Sequence, residues 1–311
     1  MAAEATRAGY GETLVELVGE GLDIMAVEAD LSGSTTTNKL GKAHPDRLVN
    51  VGIAEQNMID VAAGLALAGK TVFTGSFAAF GTGRCYDQIR NTVCYGELDV
   101  KVAPTHAGVT VGPDGGSHQM LEDVSLMRGL PGMRVLVPAD YTAAKQAIRI
   151  AAQTPGPFYV RLGRAKVPQV YEEGFELELG RAYVLREGDD VTLVANGVEV
   201  AEALQAAEQL ASQGISAEVI DAFSVKPFDK ETLLTSVRKT GCVVSCEEHS
   251  TVGGLGSAVA DIIGENCPVP LERVGVRDEF GTSGDPSELL AEYGLDAAGI
   301  VEKAKKVLAR K

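Results

Sequence analysis

The chain has 311 residues, 45% of them apolar and 23% charged, with a net charge of −15. That length suits two domains of ordinary size, and the acidity argues against nucleic acid or an anionic membrane surface as a partner. The opening stretch MAAEATRAGYGETL has no apolar leader segment, and no apolar run reaches the roughly 18 residues of a membrane span. Five cysteines without a dense framework suit a reducing cytoplasm, which is the expected location.

Taken in order, helical spacing covers 6–17. An apolar strand over 22–27 ends in Glu28-Ala29-Asp30, and the polar loop LSGSTTTNKLG follows. The stretch RLVNVGIAEQNM (47–58) holds a strand that stops at Gly52 and a helix with Glu55 in its first turn. An almost uncharged helix continues over 59–68. A strand over 70–73 leads into SFAAFGTG (76–83), read as a loop, and 86–95 is helical. A strand over 100–103 opens the Gly-rich loop THAGVTVGPDGGSHQ (105–119). A helix near Val124, a strand over 134–137, a helix over 141–152 and a strand over 158–162 complete the first unit. Between 164 and 183 the rhythm breaks, and the segment reads as an extended connection. The second unit places strands at 191–195, 217–220, 242–246 and 271–276 among helices at 199–213, 229–239 and 254–263, with two helices closing the chain.

Short apolar strands alternating with helices predict an α/β protein of two domains, each a mostly parallel sheet flanked by helices. The expected boundaries are 1–165, a linker over 166–184, and 185–311. In such sheets ligands gather beyond the C-terminal ends of the strands. Asp30, Glu55, the SFAAFGTG loop and the 105–119 loop all fall there.

Each candidate has more than one reading. Glu55 is either an N-terminal carboxylate complementing the helix dipole, or a carboxyl in poorly hydrated surroundings that shares a proton with a ligand nitrogen. Phe77 and Phe80 are core residues, or they stack on a flat ring. Arg84 and Arg90 read as surface or ion-pair residues. The 105–119 loop holds two of the four histidines, His106 and His118, plus Asp114. Its glycines allow close backbone approach to an anion or polar substrate; a metal site on those three residues lacks supporting spacing. Cys242, Cys246 and His249 invite a zinc reading, against which stand two buried structural thiols. The stretch VGGLGSA (252–258) is a helix start open to an anion, or a site of close helix packing.

Together, NVGIAEQNMI, SFAAF, THAGVTVGPDGGSHQ and VLVPAD resemble transketolase, and more closely its C-terminal half as encoded separately in some archaea and bacteria. The resemblance implies a pyrimidine-binding domain of thiamine-diphosphate enzymes followed by the transketolase C-terminal domain. It implies Glu55 as the carboxylate on the aminopyrimidine ring, Phe77 and Phe80 as its aromatic wall, and Asp30 as an acidic residue of the cofactor site. A further family aromatic is replaced by Gly83, leaving either Tyr86 in its stead or no contact. Asp114, His118 and His106 match residues on the sugar, His106 at its distal end, with Glu55, His118 and His106 in the catalytic set. Arg7, Ser34 and Arg161 match positions for the sugar phosphate, with Arg164 close enough to Arg161 to compete for that role; a guanidinium suits a phosphate bidentately.

One family segment is absent: nowhere does GDG precede, by some 25 to 30 residues, the Asn that binds magnesium and diphosphate in this superfamily. The resemblance therefore implies a subunit inactive alone, with no metal ligands of its own. It needs an N-terminal transketolase subunit to hold Mg2+ and the diphosphate, in an assembly of two copies of each chain. The expected reaction is transfer of a two-carbon ketol unit from a ketose phosphate to an aldose phosphate. Rival readings are the beta subunit of a 2-oxo-acid dehydrogenase, a separated half of 1-deoxyxylulose-5-phosphate synthase, and a non-catalytic scaffold.

Overall fold

Short strands buried on both faces set the architecture of the computed structural model, which describes residues 3–311. Strands such as Val191–Ala195 and Phe158–Val160 are buried along their whole length. That is the signature of a parallel sheet covered by helices on each side. Seven strands make the first sheet. Their spatial order is Ser224–Lys226, Arg134–Leu136, Phe158–Val160, Val100–Val102, Thr71–Gly75, Ile24–Glu28 and Leu48–Asn50. All pair in parallel except Ser224–Lys226, which runs antiparallel to Arg134–Leu136. The second sheet has five strands, ordered Leu271–Val276, Val243–Ser250, Val191–Ala195, Ala217–Asp221 and Tyr183–Arg186. Only the last is antiparallel.

The expected α/β plan of two mostly parallel sheets is what the chain forms. The differences are local and have local causes. The strand Ser224–Lys226 was not anticipated; three residues are too few for a periodic signal. It comes from the second half of the chain yet extends the first sheet. Lys226 fixes it there, donating from Nζ to the Arg128 and Leu130 carbonyls at 2.9 and 2.5 Å. SFAAFGTG is not a loop: Ala79–Arg84 winds as a π-helical turn, and the expected helix over 86–95 is largely a second one, Ile89–Cys94. The polar stretch after Asp30 winds into two short helices, Ser32–Thr35 and Asn38–Ala43. In the connecting segment, Lys166–Val167 pairs antiparallel with Glu4–Ala5.

The helix Tyr141–Gln153 is capped by Asp140, whose carboxylate accepts the Ala143 N–H at 2.7 Å. Its buried alanines let it pack closely on Thr6–Gly19, which buries Tyr10, Leu14 and Leu17. That seating matters for the site. Thr6 Oγ1 accepts the Gly163 N–H at 2.7 Å, so the first turn of Thr6–Gly19 lies against the end of the strand Phe158–Val160.

Candidate active site

The four parallel strands at one end of the first sheet, from Val100–Val102 to Leu48–Asn50, deliver the site from their C-terminal ends. Beyond Thr71–Gly75 and Val100–Val102 the two chains stay loosely paired. Thr105 donates its N–H to Ser76 O at 3.0 Å, and Ala78 donates to Thr105 O at 2.8 Å. This places Phe77 beside His106, ring on ring, with centroids 3.8 Å apart. Phe80 lies 6.0 Å from Phe77 and meets His118 edge-on at 5.2 Å. One aromatic group thus gathers residues from the π-turn and from both ends of the 105–119 loop.

Glu55 opens the helix Glu55–Leu67 and is only 5% exposed. It makes no side-chain cap hydrogen bond to its own helix. Its Oε1 instead accepts from Arg84 at 3.1 Å, and the Arg84 guanidinium lies 4.1 Å over the Phe80 ring. The π-turn makes this reach possible by turning the chain back between Phe80 and Arg84. Gly83 is exposed. Tyr86 is half-buried against the hydrophobic core that includes Met58 and Ile59, and it is Arg84 that lies over Phe80.

His106 is 2% exposed and holds a left-handed backbone, φ 61°. A non-glycine residue in that region is sterically costly and persists only where its surroundings hold it. Arg7 lies 3.3 Å from His106 Nε2. A guanidinium only donates, so Nε2 accepts and Nδ1 carries the proton, which it gives to Thr105 Oγ1 at 2.7 Å. Burial, then the charges of Arg7 and Arg164, push the His106 pKa down to about 3. It is therefore a neutral, fixed tautomer at ordinary pH. Arg7 also donates to the Ser34 carbonyl at 2.9 Å. Arg164 donates to Val111 O at 2.7 Å and pairs with Asp114 at 3.4 Å. His118 is steadied by Ser117 Oγ at 3.0 Å from Nδ1.

Arg161 does not join this group. Its Nε and Nη2 hold the two Asp123 oxygens at 2.7 and 3.2 Å, and Nη2 also donates to the Met120 and Glu248 carbonyls. With Nε and Nη2 committed, Nη1 3.9 Å from the buried Glu248 carboxylate and only 8% of the residue exposed, Arg161 sits in a buried ion network. The guanidinium beside Arg7 is that of Arg164, whose charge lowers the Arg7 pKa after burial does. Asp30 is exposed, with φ 63°, and exchanges hydrogen bonds with Asn50; it stands at the rim.

Sequence reasoning passed over Glu28. It is fully buried below Asp30 and accepts from Thr35 and Thr37, both at 2.5 Å. Those bonds shape the turn that brings Ser34 to Arg7. Its only sequence signal was a carboxylate ending an apolar strand. Burial raises its pKa to about 7, against the lowering effect of the two threonines. Between the unfolded value of 4.5 and about 7 the folded state holds the extra proton, so stability falls as pH rises through that window. Thermal melts from pH 5 to 8 are expected to show Glu28→Gln flattening this decline. An unchanged slope would place it on other groups, such as Asp221, also raised to about 7 by burial.

Among the described residues no group of three or more His, Cys, Asp or Glu side chains is placed to hold a metal. Cys242 and Cys246 are buried free thiols. The helix start after VGG already has its anion: Glu247 accepts from the Leu255 and Gly256 N–H groups at 2.6 and 2.8 Å. No helix is long and apolar enough to cross a membrane among the described residues.

Comparison with known proteins agrees with this architecture. Residues 2–169 match the model of the transketolase pyrimidine binding domain, and 180–300 that of the transketolase C-terminal domain. A putative transketolase C-terminal section of Methanocaldococcus jannaschii is 47% identical over 96% of this chain and 94% of its own length. A 6-deoxy-6-sulfo-D-fructose transketolase subunit from a Clostridium species is also 47% identical, over 97% of this chain and 94% of its own. A solved structure described as a split gene transketolase, inactive beta4 tetramer, superposes with a TM-score of 0.91 at 48% identity, covering 99% of both chains.

Proposed function

The chain belongs to the transketolase family, and from that premise we propose that it is the pyrimidine-side subunit of a split transketolase. It transfers a two-carbon ketol unit between sugar phosphates when joined to a chain that binds diphosphate and magnesium. The observation that carries the reading is the single cluster of Glu55, Phe77, Phe80, His106 and His118. A buried carboxyl linked through Arg84 to Phe80, with Phe77 6.0 Å from that ring, suits a flat nitrogen heterocycle: one part hydrogen-bonds its edge, the other covers its face. Thiamine diphosphate, when bound, supplies the electron sink for breaking a carbon–carbon bond next to a carbonyl.

The remaining assignments concern this chain's own groups. Glu55 holds a proton against a ring nitrogen, with Arg84 fixing its other direction. Phe77 and Phe80 exclude water from the ring, and Asp30 contributes an acidic group at its rim. His118 and Asp114 take sugar hydroxyls. Neutral His106 fixes the distal part of the substrate through Arg7. Arg7 and Arg164, with Ser34 nearby, bind the anionic end, replacing the expected pair of Arg7 and Arg161. A sulfonated ketose is the second reading; it rests on the Clostridium relative, since a sulfonate offers the same three-oxygen face to paired guanidiniums.

Support for a companion comes from two sides. The chain lacks the GDG…Asn segment. Large apolar residues also stand exposed around the Glu55 helix: Ile53 is 79% and Leu67 75% exposed. Reconstitution is the test. With thiamine diphosphate and magnesium, the chain alone is expected to give no ketol transfer and to self-associate. A companion bearing GDG…Asn restores transfer in an assembly of two copies of each. Turnover by the chain alone would sink the proposal. A screen of ketose phosphates against 6-sulfonated ketoses then chooses the substrate class.

A further inference from the structure

The 105–119 loop carries three of the proposed substrate residues, yet it has little structure of its own. Apart from one 3-10 turn, Val109–Val111, it contains no helix or strand. What bounds it is the second domain, at three separate points. Glu248, on the strand Val243–Ser250 and 2% exposed, accepts the Thr110 N–H at 2.6 Å. Ser250 donates its N–H to Leu121 O at 2.7 Å. Gln119 is the third. Its Nε2 donates to Val109 O within the loop at 3.0 Å and to Thr282 O of the second domain at 2.8 Å.

The fit admits no extra atoms. A Cβ on Gly108 would lie 2.1–2.3 Å from the Glu248 carboxyl, and one on Gly116 would lie 2.3 Å from Gly281 O. The loop and the 281–284 segment approach backbone to backbone. A left-handed His106 at one end of the loop needs such outside restraint to persist.

We infer that the second domain sets the shape of the substrate loop, with Gln119 and Glu248 as positioning residues. They act through His106, Asp114 and His118. This rests on the functional reading above for its kinetic consequence but not for its structural one.

Gly281→Ala tests it from outside the loop. The added Cβ would sit 1.8 Å from Gln119 Oε1, so the amide must swing away, and position 281 has no left-handed backbone to forbid alanine. Imidazole NMR on the isolated chain reads the result, since only four histidines are present. The His106 and His118 signals are expected to shift while His44 stays put. In the reconstituted complex, kcat/KM is expected to fall roughly tenfold to a hundredfold from misplacement of the substrate groups, with the melting temperature within a few degrees of wild type. Gln119→Leu should do the same, and Glu248→Gln, which keeps an acceptor for Thr110, should restore most of what Glu248→Ala loses.

Folded Gly281→Ala and Gln119→Leu with unmoved His106 and His118 signals would overturn the inference. Should neither variant fold, hydrogen exchange of the wild type decides: Thr110 N–H is expected to be as protected as the Val243–Ser250 strand, and rapid exchange there overturns it. Absence of transfer by the wild-type complex would count against the functional reading alone.

Discussion

Glu55→Gln, in the chain assembled with its companion, is expected to lower ketol transfer by about 10²–10⁴-fold, the usual contribution of a positioned acid–base group. The chain itself should still fold. Glu55 makes one protein contact of consequence, the 3.1 Å bond from Arg84, and an amide oxygen can still accept it. What glutamine cannot do is exchange a proton with a ring nitrogen. Far-ultraviolet circular dichroism and a thermal melt check the fold, and a ketol-transfer assay at saturating cofactor checks the chemistry. Loss of both together would return Glu55 to a structural role at the helix start. Turnover near wild type would remove it from the mechanism. Arg84→Ala separates the two contributions of that pair. It removes the guanidinium from both the carboxylate and the Phe80 face but leaves the acid in place, so its effect on turnover should be the smaller.

The second large effect is on stability. Arg161→Leu is expected to cost about 3–5 kcal/mol, the penalty for stranding one partner of a buried ion pair. Asp123 is fully buried, and Arg161 is its main counter-charge. Burial alone would raise the Asp123 pKa; Arg161 overrides that and holds it below the ordinary value of 3.8. The contribution is therefore present at neutral pH and is lost as pH falls below that value. Tyr159 donates to the same carboxylate, and His249 lies 3.9 Å from it, but neither supplies the paired donors of the guanidinium. Against a total stability of about 5–15 kcal/mol, the loss should appear as a large fall in the denaturation midpoint. The double variant Arg161→Leu with Asp123→Asn is expected to recover part of it and not all, because Asp123 then carries no charge while the buried Glu248 carboxyl still loses the guanidinium 3.9 Å away. If Arg161→Leu melts like wild type but binds substrate poorly, the original phosphate assignment would have to be restored.

Much was legible because it is local. Alternating apolar strands and helices point to a parallel α/β plan, since a strand covered on both faces is mostly apolar and is followed by a covering helix. Chain order then put Glu55, the Phe77–Phe80 segment and the 105–119 loop at the same edge of one sheet, and all three converge there. Family resemblance supplied roles for them, which geometry by itself would not have named.

The Arg161 and Arg164 alternative shows where this stops. The two lie three residues apart in an apolar surrounding, and no local pattern says which faces inward. In the structure Arg161 continues the pleat of Phe158–Val160, sharing a face with Tyr159, and both close on Asp123. Arg164 lies past the strand end, where the chain turns toward Asp114 and Arg7. Arg84 was likewise legible only as an ion-pair residue, because its partner depends on a π-turn that sequence spacing does not announce.

By itself the sequence determined the fold class, the chain order of the site and the chemical types within it, all consequences of periodicity and composition over short windows. Only the tertiary structure decided which charges are buried together, which arginine is free for an anion, and that the second domain bounds the substrate loop. Those contacts join residues such as Thr6 with Gly163 and Thr110 with Glu248, 157 and 138 positions apart. Pairings of that range are set by how the helices and sheets pack, not by any local preference of the chain.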